Sequence, residues 1–177
     1  MSATAEDRIK LVFSLFDIDG NGYLEEQDFT TMSDRVLKAA AGSGAAAREG
    51  MEAAFRRYWT TLERELDANR DGKVSYEEYA ACVLSPERFS GTVQEFAESL
   101  AALGDPDGDG LIERPLFAAL MVAIGFDRAN IDALFDAFAP SAGDRIEVPV
   151  WIAGIEDYYR PDKVGIAGDR LVANVVG

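Results

Sequence analysis

Histidine is absent from this 177-residue sequence, and cysteine occurs once, at Cys82. The first absence removes the commonest general base, the usual nucleophile activator and the usual zinc ligand. The second excludes an internal disulfide, and a lone Cys82 reads as a small packed residue rather than a reactive thiol. Positive charge is scarce: 17 Lys and Arg stand against 32 Asp and Glu, a formal net charge of −15. A surface this negative is repelled by phosphate backbones and anionic lipid heads, so neither nucleic acid nor a membrane is an expected partner. No run approaches the roughly 18 apolar residues that span a bilayer. The first ten residues carry Glu6 and Asp7 and no apolar stretch, which does not fit a secretory signal. The expectation from these absences is a cytoplasmic protein, acting as a monomer.

What is present is core material. Hydrophobic residues make up 48% of the chain and aromatic residues 10%, enough for one compact domain or two small lobes and too much for a disordered acidic tail. Apolar residues recur at helical spacing in four stripes: Ile9, Val12, Phe13 and Phe16; Phe55, Tyr58, Trp59, Leu62 and Leu66; Val93, Phe96, Leu100 and Leu103; Ile131, Leu134, Phe135 and Phe138. Each stripe runs into a short segment rich in Asp or Gly, and a second helical pattern follows at 29–37, 76–83, 116–124 and 150–158. The spacing predicts helix–loop–helix four times over, an internal repeat. Gly42, Ser43 and Gly44 predict a break between the first unit and the second. Ser85 and Pro86 predict the boundary between two lobes, at 1–85 and 86–159. The remainder, 160–177, ends in an apolar run from Leu171 and reads as a tail docked on the core.

The loop at 67–78 places Asp67, Asn69, Asp71, Gly72 and Glu78 on the pattern D-x-[DN]-x-[DN]-G-x5-E at every specified position. Calcium is a hard cation that takes six to eight oxygens, and such a loop supplies them from positions 1, 3 and 5, the carbonyl of 7 and a bidentate Glu at 12. Here the carbonyl belongs to Lys73. Gly72 provides the positive φ of the sharp turn, and Val74 can pair as a short β-bridge with a sister loop. The loop at 17–28 offers Asp17, Asp19, Asn21, the carbonyl of Tyr23, and Asp28 at position 12. Asp is one methylene shorter than Glu, so Asp28 reaches an ion only if the exit helix moves in or if it binds through one oxygen. A smaller oxygen set at shorter range suits Mg²⁺, and Mg²⁺ is expected to compete with Ca²⁺ at this loop.

The loop at 105–116 has Asp105, Asp107, Asp109 and the carbonyl of Leu111, but position 12 is Leu116, which donates nothing. Glu113 at position 9 is its one source of compensation. Affinity is expected to be lower, with occupancy and an empty relic both open. The loop at 139–150 has Ala139, Ser141, Gly143 and Val150 at positions 1, 3, 5 and 12 and keeps only its packing, with Ile146 opposite Ile112.

With these loops in view, the chain resembles the EF-hand superfamily, and within it the sarcoplasmic calcium-binding proteins and their calerythrin-like prokaryotic members. The wide first interval between loops, Asp28 at position 12 and the C-terminal extension carry the resemblance. It implies an all-α fold: four EF-hand units paired into two lobes of one compact globule, with short loop–loop β-bridges. It further implies a calcium buffer or transporter. The loops themselves suggest two to three bound Ca²⁺. Without a cation their carboxylates repel one another, so metal binding should couple to ordering.

Two other roles are weighed. A sensor exposes a pliable Met-rich groove, and this chain has four Met residues against ten Phe, six Tyr and two Trp, which favours a closed core. A protein target remains possible without being indicated. An enzyme needs a nucleophile–base pair, and none can be named. The adjacent pairs Glu25–Glu26 and Glu77–Glu78 are explained by loop position and by the positive end of the exit helices.

Overall fold

In the computed structural model, which describes residues 4–66 and 72–172, the four repeats become eight α-helices among the described residues. The first unit is α1 (Ala5–Phe16), β1 (Tyr23–Leu24) and α2 (Glu26–Ala39); the second is α3 (Ala45–Leu66), β2 (Val74–Ser75) and α4 (Tyr76–Val83). The third is α5 (Pro86–Leu103), β3 (Leu111–Glu113) and α6 (Arg114–Ile124); the fourth is α7 (Arg128–Ala137), β4 (Arg145–Glu147) and α8 (Val148–Tyr158). A 3₁₀ turn at Ala167–Leu171 ends the described chain. The side chain of Leu66 and residues 173–177 lie outside the described residues.

Local chemistry sets the helix ends. Thr4 caps α1 by accepting from the Asp7 N–H at 3.1 Å while Asp7 accepts from the Thr4 N–H at 2.9 Å, a reciprocal box that satisfies two otherwise orphaned donors. Pro86 begins α5 where its missing N–H costs nothing. Gly125 closes α6 at φ 119°, a left-handed conformation that a side chain would strain.

The loops pair through antiparallel bridges. Leu24 faces Val74 in the first pair, and Ile112 faces Ile146 in the second. All four side chains are at most 3% exposed, so each bridge is a floor on which the entering and leaving helices rest. The two pairs do not sit apart. Helix α3 packs along α5, α5 along α8 and α2 along α6, so apolar burial crosses the junction at Ser85 continuously.

Tyr58 sits at the centre of this packing. Its ring meets Phe16, Phe29, Phe89 and Phe96 at centroid distances of 5.2, 5.3, 4.9 and 5.6 Å. Its hydroxyl meets those of Tyr79 and Tyr159 at 2.5 and 3.0 Å, which gives three buried phenols one another as partners. Burial pushes Tyr58, Tyr79 and Tyr158 well above the ordinary tyrosine range, and Tyr159 up to about 12. A phenol whose folded value is raised holds its proton in the native state and loses it on unfolding, so these four stabilise the fold below about pH 10 and progressively less above it. In an alkaline titration at 295 nm, these four tyrosines should ionise together with loss of helical circular dichroism. Their ionisation while the helices persist would contradict the packing.

The close approach of helices also fixes Gly104. A Cβ there would lie 3.0 Å from the Trp151 ring and 3.3 Å from Ile112, both in the core. Gly104→Ala should therefore cost about 1–3 kcal/mol by overpacking, read as a lower denaturant midpoint. An unchanged midpoint would mean that α5 and α8 are less tightly apposed.

The tail returns to the first helix through Arg8, which is fully buried. Its Nε donates to the Tyr158 carbonyl at 2.8 Å, and its Nη2 donates to the carbonyls of Arg160 and Lys163 at 2.9 and 3.1 Å. Its Nη1 pairs with Asp169 at 3.0 Å. Leu171 and Val172 are at most 3% exposed, so the described part of the tail lies in the core. The Val-rich run beyond it lies outside the described residues.

Candidate metal centre

The first loop is built around Asp17, the residue that ends α1. Both of its carboxylate oxygens accept backbone N–H groups, Oδ1 from Asn21 at 3.1 Å and Oδ2 from Gly22 at 2.8 Å. Asp19 Oδ1 accepts from the same Asn21 N–H at 3.2 Å, and Asn21 Oδ1 accepts from Tyr23 at 3.0 Å. Gly20 and Gly22 allow this wrapping because both take positive φ, 67° and 85°. The backbone N–H groups of Asn21, Gly22 and Tyr23 thus hold the side-chain oxygens of Asp17, Asp19 and Asn21 in place. Asp28, in the first turn of α2, completes the set: oxygens of Asp17, Asp19 and Asp28 lie within 4.8 Å of one another.

That separation is the test of fit. Two oxygens bound to one Ca²⁺ at about 2.4 Å can be no farther apart than about 4.8 Å, and the three carboxylates meet that necessary condition. The short side chain of Asp28 is compensated by position, since α2 already brings it in. Burial is the largest influence on Asp28, which is 3% exposed; with the charges of Asp19, Asp17 and Glu25 it pushes the carboxyl up to about 6, against the Glu25 N–H that favours its ionised form.

The third loop repeats the four backbone-to-side-chain bonds that wrap the first. Asp105 accepts from the Asp109 and Gly110 N–H groups at 3.1 and 2.9 Å, Asp107 from Asp109 at 3.2 Å, and Asp109 from Leu111 at 2.8 Å. Its three aspartates also converge within 4.8 Å. Burial raises the Asp105 carboxyl, whereas the Leu111 N–H, with help from Arg145, holds Asp109 low. The difference lies at position 12, where Leu116 is half-buried and packed against the core.

In the second loop, Asp67, Asn69 and Asp71 lie outside the described residues. Gly72 has the required positive φ of 75°, Val74 pairs with Leu24, and Lys73 precedes the bridge. Glu78 Oε1 accepts from the Ser75 N–H at 3.0 Å while Ser75 Oγ accepts from the Glu78 N–H at 3.2 Å. Asp28 makes the corresponding bond to the Glu25 N–H, also at 3.0 Å. In both N-terminal loops the carboxylate at position 12 therefore uses one oxygen to cap the exit helix. The sequence carried a signal for this, the Ser75-x-x-Glu78 capping-box pattern, which the reading of Glu78 as a ligand alone passed over.

The fourth loop keeps the geometry without the oxygens. Asp144, not glycine, occupies position 6 and takes φ 59°. Cys82 is fully buried and burial pushes its thiol up to about 11, which leaves it a packing residue.

Comparison with known proteins agrees with this geometry. Residues 6–84 match the EF-hand domain pair family. Calerythrin of Saccharopolyspora erythraea is 24% identical over 165 residues, covering 89% of this chain and 93% of calerythrin. The sarcoplasmic calcium-binding protein alpha chain of Penaeus vannamei is 26% identical over 121 residues, and the match spans 63% of each chain. A solved structure of a Streptomyces coelicolor calcium-binding protein shares the fold, with a TM-score of 0.69, 21% identity and coverage of 90% of this chain and 99% of that one. Residues 6–84 are thus matched as an EF-hand domain pair, and the chain as a whole is similar to calerythrin and to the sarcoplasmic calcium-binding proteins.

Proposed function

We propose that this chain is an intracellular calcium buffer that binds two Ca²⁺ tightly, in the loops at 17–28 and 67–78, and a third weakly at 105–116. The ligands are Asp17, Asp19, Asn21, the Tyr23 carbonyl and Asp28; Asp67, Asn69, Asp71, the Lys73 carbonyl and Glu78; and Asp105, Asp107, Asp109 and the Leu111 carbonyl. The observation that carries the reading is the preformed convergence of Asp17, Asp19 and Asp28, the last of them supplied by the first turn of α2. A buffer has no need to open, and the methionines a sensor would expose are inside: Met32, Met51 and Met121 are 0, 0 and 5% exposed. No nucleophile–base pair argues for catalysis, and no helix among the described residues is long and apolar enough to cross a membrane. The two lobes, 1–85 and 86–159, divide the work, with the metal-binding strength in the first.

A sensor is the second reading. A groove of about 420 Å³ runs between α2 and α3, floored by Phe29, Phe55 and Trp59 and rimmed by acidic residues. The similar Streptomyces coelicolor protein is itself associated with prokaryotic calcium-mediated regulation. A calcium titration in the presence of a hydrophobic dye separates the two. The buffer predicts heat of binding with no rise in dye fluorescence; a calcium-dependent rise would establish the sensor.

A further inference from the structure

The C-terminal pair contains two arginines that cross between its loops. Arg114 begins α6, immediately after the third loop's bridge, but its guanidinium serves the fourth loop. Its Nε and Nη2 grip both oxygens of Asp144 at 2.8 and 3.0 Å, and Nη2 also reaches Asp136 of α7 at 2.5 Å. Nη1 lies 3.5 Å from Asp132, one turn earlier in α7. The guanidinium rests 4.4 Å above the Phe135 ring, and its side chain is 21% exposed. One fixed cation therefore joins the entering helix of the fourth unit, that unit's loop and the first residue of the third unit's exit helix. In the first loop, the entering helix end, the loop and the exit helix are instead represented by Asp17, Asp19 and Asp28, three like charges within 4.8 Å that repel one another when ionised.

Arg145 makes the reverse crossing. It starts β4, opposite Glu113, and its Nη1 lies 3.9 Å from Asp109 Oδ2, one of the three converging carboxylates of the third loop. Gly143 clears its path: a Cβ there would fall 2.9 Å from both Nε and Nη2 of Arg145. Asp109 is also where the third loop would offer its position-5 oxygen. A guanidinium beside that oxygen opposes a divalent ion entering the same cluster, and the loop already lacks a ligand at position 12.

We propose that Arg114 and Arg145 are tethered cations standing in for calcium in the C-terminal pair, Arg114 closing the fourth loop permanently and Arg145 holding down the calcium affinity of the third. The second half rests on the calcium reading of the loops given above; the first half does not. Tight metal dependence is thereby confined to the N-terminal pair, and the C-terminal pair, with only a weak site at 105–116, serves as a scaffold whose fourth loop stays closed whatever the calcium concentration.

The test is a calcium titration of the full chain beside Arg145→Gln and Arg145→Lys. Arg145→Gln should strengthen one weak site several-fold, up to about tenfold, the scale of losing one unit charge near a divalent ion in water. Arg145→Lys should leave that site at its original affinity, and adding Asp105→Asn to Arg145→Gln should abolish the gain. A gain in affinity cannot come from misfolding. If the sites of the N-terminal pair bind and Arg145→Gln changes nothing, the Arg145 half of the proposal fails while the calcium reading stands; no heat from any variant overturns that half together with the calcium reading. For Arg114, the emission of Trp151 is read in a Trp59→Phe background, because Trp151 packs against Phe117 at 4.8 Å within the same pair. It should be unchanged by metal removal with Arg114 present, and shifted to the red in Arg114→Gln whether or not calcium is added. Emission that follows calcium in the parent would overturn the permanent closure.

Discussion

Glu78→Gln should remove the calcium site of the second loop while leaving the fold intact. Gln can still accept the Ser75 N–H bond that Glu78 makes at 3.0 Å, so the first turn of α4 keeps its capping box. What is lost is a charged, bidentate ligand, the group that closes a seven-fold oxygen cage. Deleting even an outer-shell partner weakens metal binding by about 10–100-fold, so losing this ligand should reach at least the upper figure. A weakening of about 100-fold at saturating calcium corresponds to about 2.7 kcal/mol of ligand-linked stability. Calorimetry should count one tight site fewer, and the gap between melting temperatures in calcium and in chelator should narrow. The metal-free melting temperature should stay where it was. A variant that lost stability equally with and without calcium would show that Glu78 is structural first.

Arg8→Met should produce the largest loss of stability of any single change outside the loops. Arg8 is 0% exposed and donates to three carbonyls and one carboxylate, each more than 140 residues away in sequence. The Tyr158 hydroxyl in turn donates to the Arg8 carbonyl at 2.9 Å. Methionine fills much of the volume but leaves Asp169 without its cation, and removing one partner of a buried pair costs about 3–5 kcal/mol. At about 2–4 °C per kcal/mol for a chain of this size, the melting temperature should fall by roughly 10 °C. Protease cleavage between Arg160 and Leu171 should accelerate, because the segment loses what ties it to α1. A fall of less than about 2 °C, within the scatter of surface substitutions, would mean that the tail is held by Leu171 and Val172 alone.

Much of this architecture was legible because its signals are local. Four stripes at helical spacing and four loops at fixed offsets describe the units, and alternation at Leu24, Val74, Ile112 and Ile146 describes the bridges. The convergence of Asp17 and Asp19 was legible in the loop's spacing as well, but the reach of Asp28 was not. That depends on where α2 sits, which the core decides through Phe29 stacking on Phe16 at 4.7 Å. The features that were not legible join residues distant in sequence. Nothing around Arg8 marks it as the anchor of a tail 150 residues later, and a lone arginine in an amphipathic helix reads as a solvated charge. Arg114 and Arg145 look like surface charges until the bridge between β3 and β4 sets each beside the other's loop. The three phenols of Tyr58, Tyr79 and Tyr159 read as ordinary core positions, and only the packing shows that they satisfy one another.

The most direct test of the account is a calorimetric Ca²⁺ titration of the metal-stripped chain at millimolar Mg²⁺, run beside Asp28→Asn and Glu78→Gln. The account predicts two tight sites in the parent chain, one in each variant, a third weak site throughout, and stronger competition by Mg²⁺ at the site that Asp28→Asn removes. No heat at micromolar Ca²⁺, or two tight sites surviving in both variants, would contradict the assignment of calcium to the N-terminal loops.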